Sequence, residues 1–135
     1  LLGMASLNSI GSYVVIEGNN MLESLAGLEF LENIYGLLEI RSNASLTNLS
    51  GLDNLESVNK YCQIEYNALT SLTGLENLES IGWGLSIIGN STLSNFMGLN
   101  NLESVGSQFQ ILSNNVLTNT MGLENLQSKQ SVCHQ

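Results

Sequence analysis

The chain has no proline, one histidine, two cysteines and three basic residues in 135 positions. Only 11% of the residues are charged, against roughly a quarter in an average soluble protein. Each shortage excludes something. Three Lys and Arg against twelve acids give a net charge of −9, which excludes the clustered cations that nucleic-acid phosphates require and a polybasic membrane-surface role. No apolar run approaches the roughly 18–20 residues of a bilayer span. The start, Leu1-Leu2-Gly3-Met4, has neither an initiator Met nor a basic n-region; it reads as a mature or excerpted chain without a visible signal peptide. One His and two Cys leave little for catalysis or metal binding. His134 lies in a tail with no nucleophile placed beside it, and no P-loop, zinc spacing or dinucleotide fingerprint occurs. The expectation is no enzyme, no cofactor and no metal.

What fills the space is 43% hydrophobic residues, 18 Asn, 18 Ser and 13 Gly, arranged as a repeat. Segments begin at Leu1, Leu25, Leu49, Leu72, Phe96 and Thr120. Their lengths are 24, 24, 23, 24 and 24 residues, with an incomplete 16 at the end. The shared frame is L-x-G-L-x-x-L-x-S-I-x-x-x-L-x-I-x-x-N-x-x-L, with one residue dropped before Leu69 in the third copy. The tail at 129–135 falls outside it, and residues 1–135 form one repeat domain. Seven apolar columns supply a core large enough to fold without crosslinks. The L-x-I pair, as in Leu85-Ser86-Ile87, alternates with the period of a strand. Apolar residues every third position in G-L-x-x-L-x-S-I suit short 3-10 or irregular turns. The predicted fold is all-β: a right-handed parallel β-solenoid of about 5.5 coils, one per 23–24-residue leucine-rich repeat, with no long helix.

The column Gly3, Gly27, Gly51, Gly74, Gly98 and Gly122 implies either positive φ or close backbone approach. Asn19, Asn43, Asn67, Asn90 and Asn114 are expected to form an inward structural ladder, satisfying one another and the turn's backbone groups. Two further rows are acidic: Glu32, Glu56, Glu79 and Glu103, and Glu29, Asp53, Glu76 and Glu124. They read as solvated edges, with calcium as the narrower alternative. Of three N-x-S/T sequons, at Asn43, Asn48 and Asn90, only Asn48 lies outside the ladder and is the candidate for glycosylation. Cys62 and Cys133 share frame position fourteen three coils apart, so roughly 14 Å separates them and a disulfide, which needs Cα atoms within about 7 Å, is not expected. A hydroxyl column at Thr47, Thr70, Ser94 and Thr118 raises a minor ice-binding alternative.

The outward strand positions, thirteen, fifteen and seventeen, expose Tyr13, Val15, Glu17, Leu37, Glu39, Arg41, Tyr61, Gln63, Glu65, Ser86, Ile88, Gln108, Gln110 and Leu112, with Tyr66 and Trp83 flanking them. The candidate binding face drawn from these is Tyr13, Leu37, Arg41, Tyr61, Tyr66, Trp83, Ile88 and Leu112, because aromatics among polar groups compose recognition surfaces.

The stretch G-L-E-N-L-E-S-I-G-W-G-L-S-I-I-G-N-S-T-L at 74–93 resembles repeats of the receptor L-domain family, and the resemblance extends over residues 1 to about 128. That family is built from leucine-rich-repeat-like right-handed β-solenoids found in receptor ectodomains and in microbial surface proteins. The cysteine-rich ends of the animal receptors are absent, so signalling is not implied. The resemblance implies a non-catalytic extracellular or cell-surface recognition or adhesion scaffold, with a protein or glycan ligand. The alternative is a structural subunit stacking end to end into a filament or layer, because the first copy carries core residues with no cap before them.

Overall fold

The computed structural model describes residues 3–4, 6–127 and the backbone of 132–134. Expectations resting on Leu1, on residues 129–131 and 135 of the tail, and on the side chains of Cys133 and His134 lie outside the described residues. Each turn of chain supplies a two-residue strand and then a longer one. They are β1 (Ser9–Ile10) and β2 (Val14–Glu17), β3 (Asn33–Ile34) and β4 (Leu38–Arg41), β5 (Ser57–Val58) and β6 (Tyr61–Glu65), β7 (Ser80–Ile81) and β8 (Gly84–Ile88), and β9 (Ser104–Val105) and β10 (Gln108–Leu112). A last strand, β11, spans Val132–His134. The short strands join in the order β1-β3-β5-β7-β9 and the long ones in the order β11-β10-β8-β6-β4-β2, with every pairing parallel. The molecule is all-β, two parallel sheets stacked as a β-solenoid of about four turns. No helix long and apolar enough to cross a membrane occurs among the described residues.

The register follows the columns: Ile16, Ile40, Ile64, Ile87 and Ile111 are consecutive partners. From Leu25 to Leu126 the columns close into a continuous buried core. Met4, Ile10, Val14, Ile16 and Leu22 in the first turn are only partly covered. The stretches expected as short 3-10 or irregular turns are single turns. Leu28 N–H donates to the Leu25 carbonyl at 3.2 Å and Leu31 N–H to the Leu28 carbonyl at 2.9 Å. Such bonds three residues apart do not overlap, so no 3-10 helix forms among the described residues. Beyond β10 the frame slips by one. Val132, not Cys133, is the partner of Phe109, and Cys133 pairs with Gln110.

Both reasons offered for the glycine column hold at once. Gly74 has φ +109°, and a Cβ there would land on the Leu49 carbonyl of the preceding turn. Gly51, Gly98 and Gly122 repeat this arrangement. Two amide ladders then clip each turn to the one before. In the expected ladder, Asn43 N–H donates to Asn67 Oδ1 at 3.1 Å while Asn67 Nδ2 donates to the Ile40 carbonyl at 2.9 Å. Asn90 and Asn114 repeat both bonds, and all four of these asparagines are buried; Asn19, in the first turn, is exposed. The second ladder was not anticipated. Asn54, Asn77, Asn101 and Asn125 each donate from Nδ2 to the carbonyl of residue 29, 53, 76 or 100, all at 2.6 Å.

Candidate functional site

The outward face of the long sheet is where the copies stop resembling one another. Down the first outward column run Tyr13, Leu37, Tyr61, Gly84 and Gln108; down the second run Val15, Glu39, Gln63, Ser86 and Gln110; down the third run Glu17, Arg41, Glu65, Ile88 and Leu112. Side chains on this face stand perpendicular to the sheet and meet their neighbours across strands. Strand β8 therefore presents two small residues, Gly84 and Ser86, between the longer side chains of β6 and β10. A hollow of about 160 Å³ opens there, lined by Tyr61, Gln63, Leu85, Ser86, Gln108 and Gln110. Ser86 is only 6% exposed, contrary to its expected place on the open face, because its longer neighbours rise around it. Its hydroxyl donates to Glu65 Oε1 at 2.9 Å. The side-chain amides of Gln63, Gln108 and Gln110 have no hydrogen-bond partner among the described residues.

One end of the hollow is aromatic. The Tyr61 ring meets Trp83 edge to face, with centroids 5.6 Å apart at 83°, and Lys60 Nζ stands 5.0 Å from the Trp83 ring centroid. A cation over an indole is held by the ring quadrupole, so Lys60 braces the outer side of Trp83. Both Trp83 and Tyr66 remain more than half open to solvent or close to it, at 50% and 58%. Tyr66 is the more unusual. It holds φ +54° at a corner where Gly18, Ser42, Gly89 and Ser113 are also left-handed, a conformation costly for a bulky residue. Its ring lies in the space that a side chain at Gly89 would occupy.

The other candidates divide. Tyr13 is exposed on the first turn; Leu37, Ile88 and Leu112 are half-buried, and the last two are direct neighbours across β8 and β10. Arg41 is already engaged: Nη2 pairs with Glu17 Oε1 and Nε with Glu39 Oε1, both at 2.8 Å. The hydrogen bond and charge of Glu17, then the charge of Glu39, hold its guanidinium above the ordinary arginine range. An anionic partner would have to displace those carboxylates.

The expected acidic rows also divide. Glu29, Asp53, Glu76 and Glu124 turn back to accept the N–H of Gly27, Gly51, Gly74 and Gly122 at 2.7–3.0 Å. That bond, with the one from its own N–H, holds the Glu29 carboxyl below the usual range. These carboxylates finish turns. No cluster of three or more His, Cys, Asp or Glu able to hold a metal occurs among the described residues. Asn48 is half-buried, and its Oδ1 accepts the Ser50 N–H at 3.0 Å. Cys62 is a free, buried thiol, pushed up to about 12 by burial, which keeps it un-ionised and unreactive.

No family model, curated protein or solved structure matches the chain.

Proposed function

We propose that this chain is a non-catalytic recognition or adhesion scaffold acting outside the cell, of receptor L-domain type. In this reading about 5.5 right-handed leucine-rich coils present the outward face of the long sheet to a protein or glycan on a surface. The observation that carries it is the contrast on one sheet: inward columns that barely vary, and an outward face where half-buried Tyr61 and exposed Trp83 pair beside a hollow rimmed by amides without a partner among the described residues. Polar groups left free at a concave spot, next to rigid aromatics, supply the orientation and contact area of a binding site.

The test is capture of fluorescent beads, coated with the chain, by intact microbial and animal cells in flow cytometry. Saturable capture is expected, lost when Tyr61, Trp83 and Tyr66 are all changed to Ala and kept when Glu56 and Glu79 of the acidic edge are. Absence of saturable capture, or equal loss in both variants, rejects the reading. A second reading, end-to-end assembly, is favoured by the apolar hollow of about 240 Å³ at the first turn, lined by Met4, Ile10, Tyr13, Val14, Val15, Ile16 and Leu28. A further coil, whether from an upstream stretch of the same chain or from a second copy, would cover it. Concentration-dependent sedimentation abolished by Ile10→Lys would support assembly between copies.

A further inference from the structure

We propose that the hollow over Ser86 is a subsite for one neutral saccharide unit, a proposal that rests on the recognition reading and names its ligand class. Three properties of the hollow lead there. Its size comes first: about 160 Å³ is below the roughly 300–1,000 Å³ of pockets that enclose drug-sized ligands, and suits a single polar ring held on one face.

The second property is the lining. Gln63, Gln108 and Gln110 each bring an amide that both donates and accepts, and none is spent within the described residues. A sugar hydroxyl likewise donates and accepts, so adjacent hydroxyls on one ring can be read by amides spaced along two strands. The wall is the Tyr61 ring, fixed by its edge contact with Trp83. An aromatic face packs against the C–H face of a pyranose while the hydroxyls point sideways to the amides. The floor is Ser86, whose hydroxyl proton is committed to Glu65.

The third property is charge. The nearest ionised group bonded to the hollow's lining is the Glu65 carboxylate, and Glu39 lies on the adjoining strand. Among the described residues no cation lines the hollow: Arg41 is paired with Glu17 and Glu39, and Lys60 stands over the Trp83 ring, outside the lining. In a chain of net charge −9, an acidic sugar meets repulsion with no cation in the lining to offset it. The subsite therefore selects uncharged units over sialylated, uronic or sulfated ones.

The experiment is a titration of the ¹⁵N-labelled chain with the methyl glycosides of glucose, galactose, mannose and N-acetylglucosamine, and with glucuronic acid as the charged counterpart. The side-chain amide resonances of Gln63, Gln108 and Gln110 are the readout. At least one neutral glycoside is expected to shift them saturably with millimolar affinity, and glucuronic acid to bind on the order of tenfold more weakly. Ser86→Gln fills the hollow with an amide that continues the glutamine row, on an outward strand position that leaves the core alone. It is expected to abolish the saturable shift while keeping the rest of the spectrum. No shift with any neutral glycoside, an undiminished shift in Ser86→Gln, or preference for glucuronic acid would overturn the subsite. If that happens while bead capture still depends on Tyr61, Trp83 and Tyr66, the saccharide falls and the recognition face stands.

Discussion

The inner columns and the outward face of the long sheet belong to the same strands, yet they obey opposite rules. Inward, Leu38, Cys62, Leu85 and Phe109 vary only in apolar shape, and Ile40, Ile64, Ile87 and Ile111 do not vary at all. Outward, between the same partners, Tyr61 faces Gly84 and Gly84 faces Gln108. A parallel stack demands that each turn accept the one before it, so an inward position in contact with both neighbours is held to apolar side chains. A position facing water has no such obligation. Irregularity on a regular scaffold therefore marks where the chain is free to do something besides fold.

The strongest way to break the comparison is at the regular side. Gly74→Ala forces a side chain into φ +109° and onto the Leu49 carbonyl, so two turns must separate. A loss above about 4 kcal/mol is expected, and the variant should be largely unfolded by circular dichroism. Gly84→Ala on the outward face comes within 2.9 Å of the Gln108 carbonyl oxygen and the Tyr61 ring, a milder approach at ordinary strand geometry, so it should cost less and remain folded. Were the two equally damaging, the contrast between the sides would fail.

Next in size is Asn67→Ala. It removes the acceptor for the Asn43 N–H and for one Asn43 side-chain amide proton, leaving two buried donors unpaired, and takes one of its donors from the Ile40 carbonyl. Each such loss costs about 1–3 kcal/mol, so denaturant unfolding should show roughly 3 kcal/mol of destabilisation. Gln110→Ala, whose amide has no partner among the described residues, should change stability by less than about 0.5 kcal/mol.

The period, the core columns, the glycine column and the ladder of Asn43, Asn67, Asn90 and Asn114 were legible because every copy repeats them. The second ladder was not, since Asn54, Asn77, Asn101 and Asn125 sit where any polar residue would be expected, and the first two copies carry other residues there. The Glu29–Gly27 bond was hidden similarly: a carboxylate turned to its own backbone reads in sequence like one facing water. The hollow depends on what stands beside Ser86 in adjacent turns, so a column-by-column reading placed Ser86 on the open face. Nor does the series Gly18, Ser42, Tyr66, Gly89 and Ser113 announce a shared left-handed corner.

Cys62 lets the comparison be sharpened with pH. Unfolded, its thiol ionises near pH 9; folded, it stays protonated until about 12. Between those values the unfolded chain binds fewer protons, so stability is intact below about pH 9 and falls as pH rises, at up to about 1.4 kcal/mol per unit. Unfolding curves at pH 8, 9 and 10 for the chain and for Cys62→Val should diverge only in the upper part of that range, the valine variant losing less. Reaction of Cys62 with iodoacetamide in the folded Cys133→Ser variant at pH 8 would show that the interior is not as closed as the buried columns require.

At Tyr66 the expected effect is small and carries the opposite sign. Its left-handed backbone costs on the order of 1 kcal/mol for a residue with a Cβ, less for Asn, whose short side chain tolerates that region. Its ring recovers part of this by lying against Gly89. Tyr66→Asn should therefore raise stability by up to about 1 kcal/mol while lowering bead capture, since an open aromatic is removed from the face. A double-mutant cycle separates ring from backbone. Gly89→Ala places a methyl group inside the Tyr66 ring and strains its own φ of +67°; in the Tyr66→Asn background only the backbone strain remains. The two changes together should thus be less damaging than their sum, by about 1 kcal/mol or more for residues in direct contact. If Tyr66→Asn instead destabilises the chain and leaves capture untouched, Tyr66 belongs with the inner columns as a packing residue, and the boundary between scaffold and recognition face must be redrawn to exclude that corner.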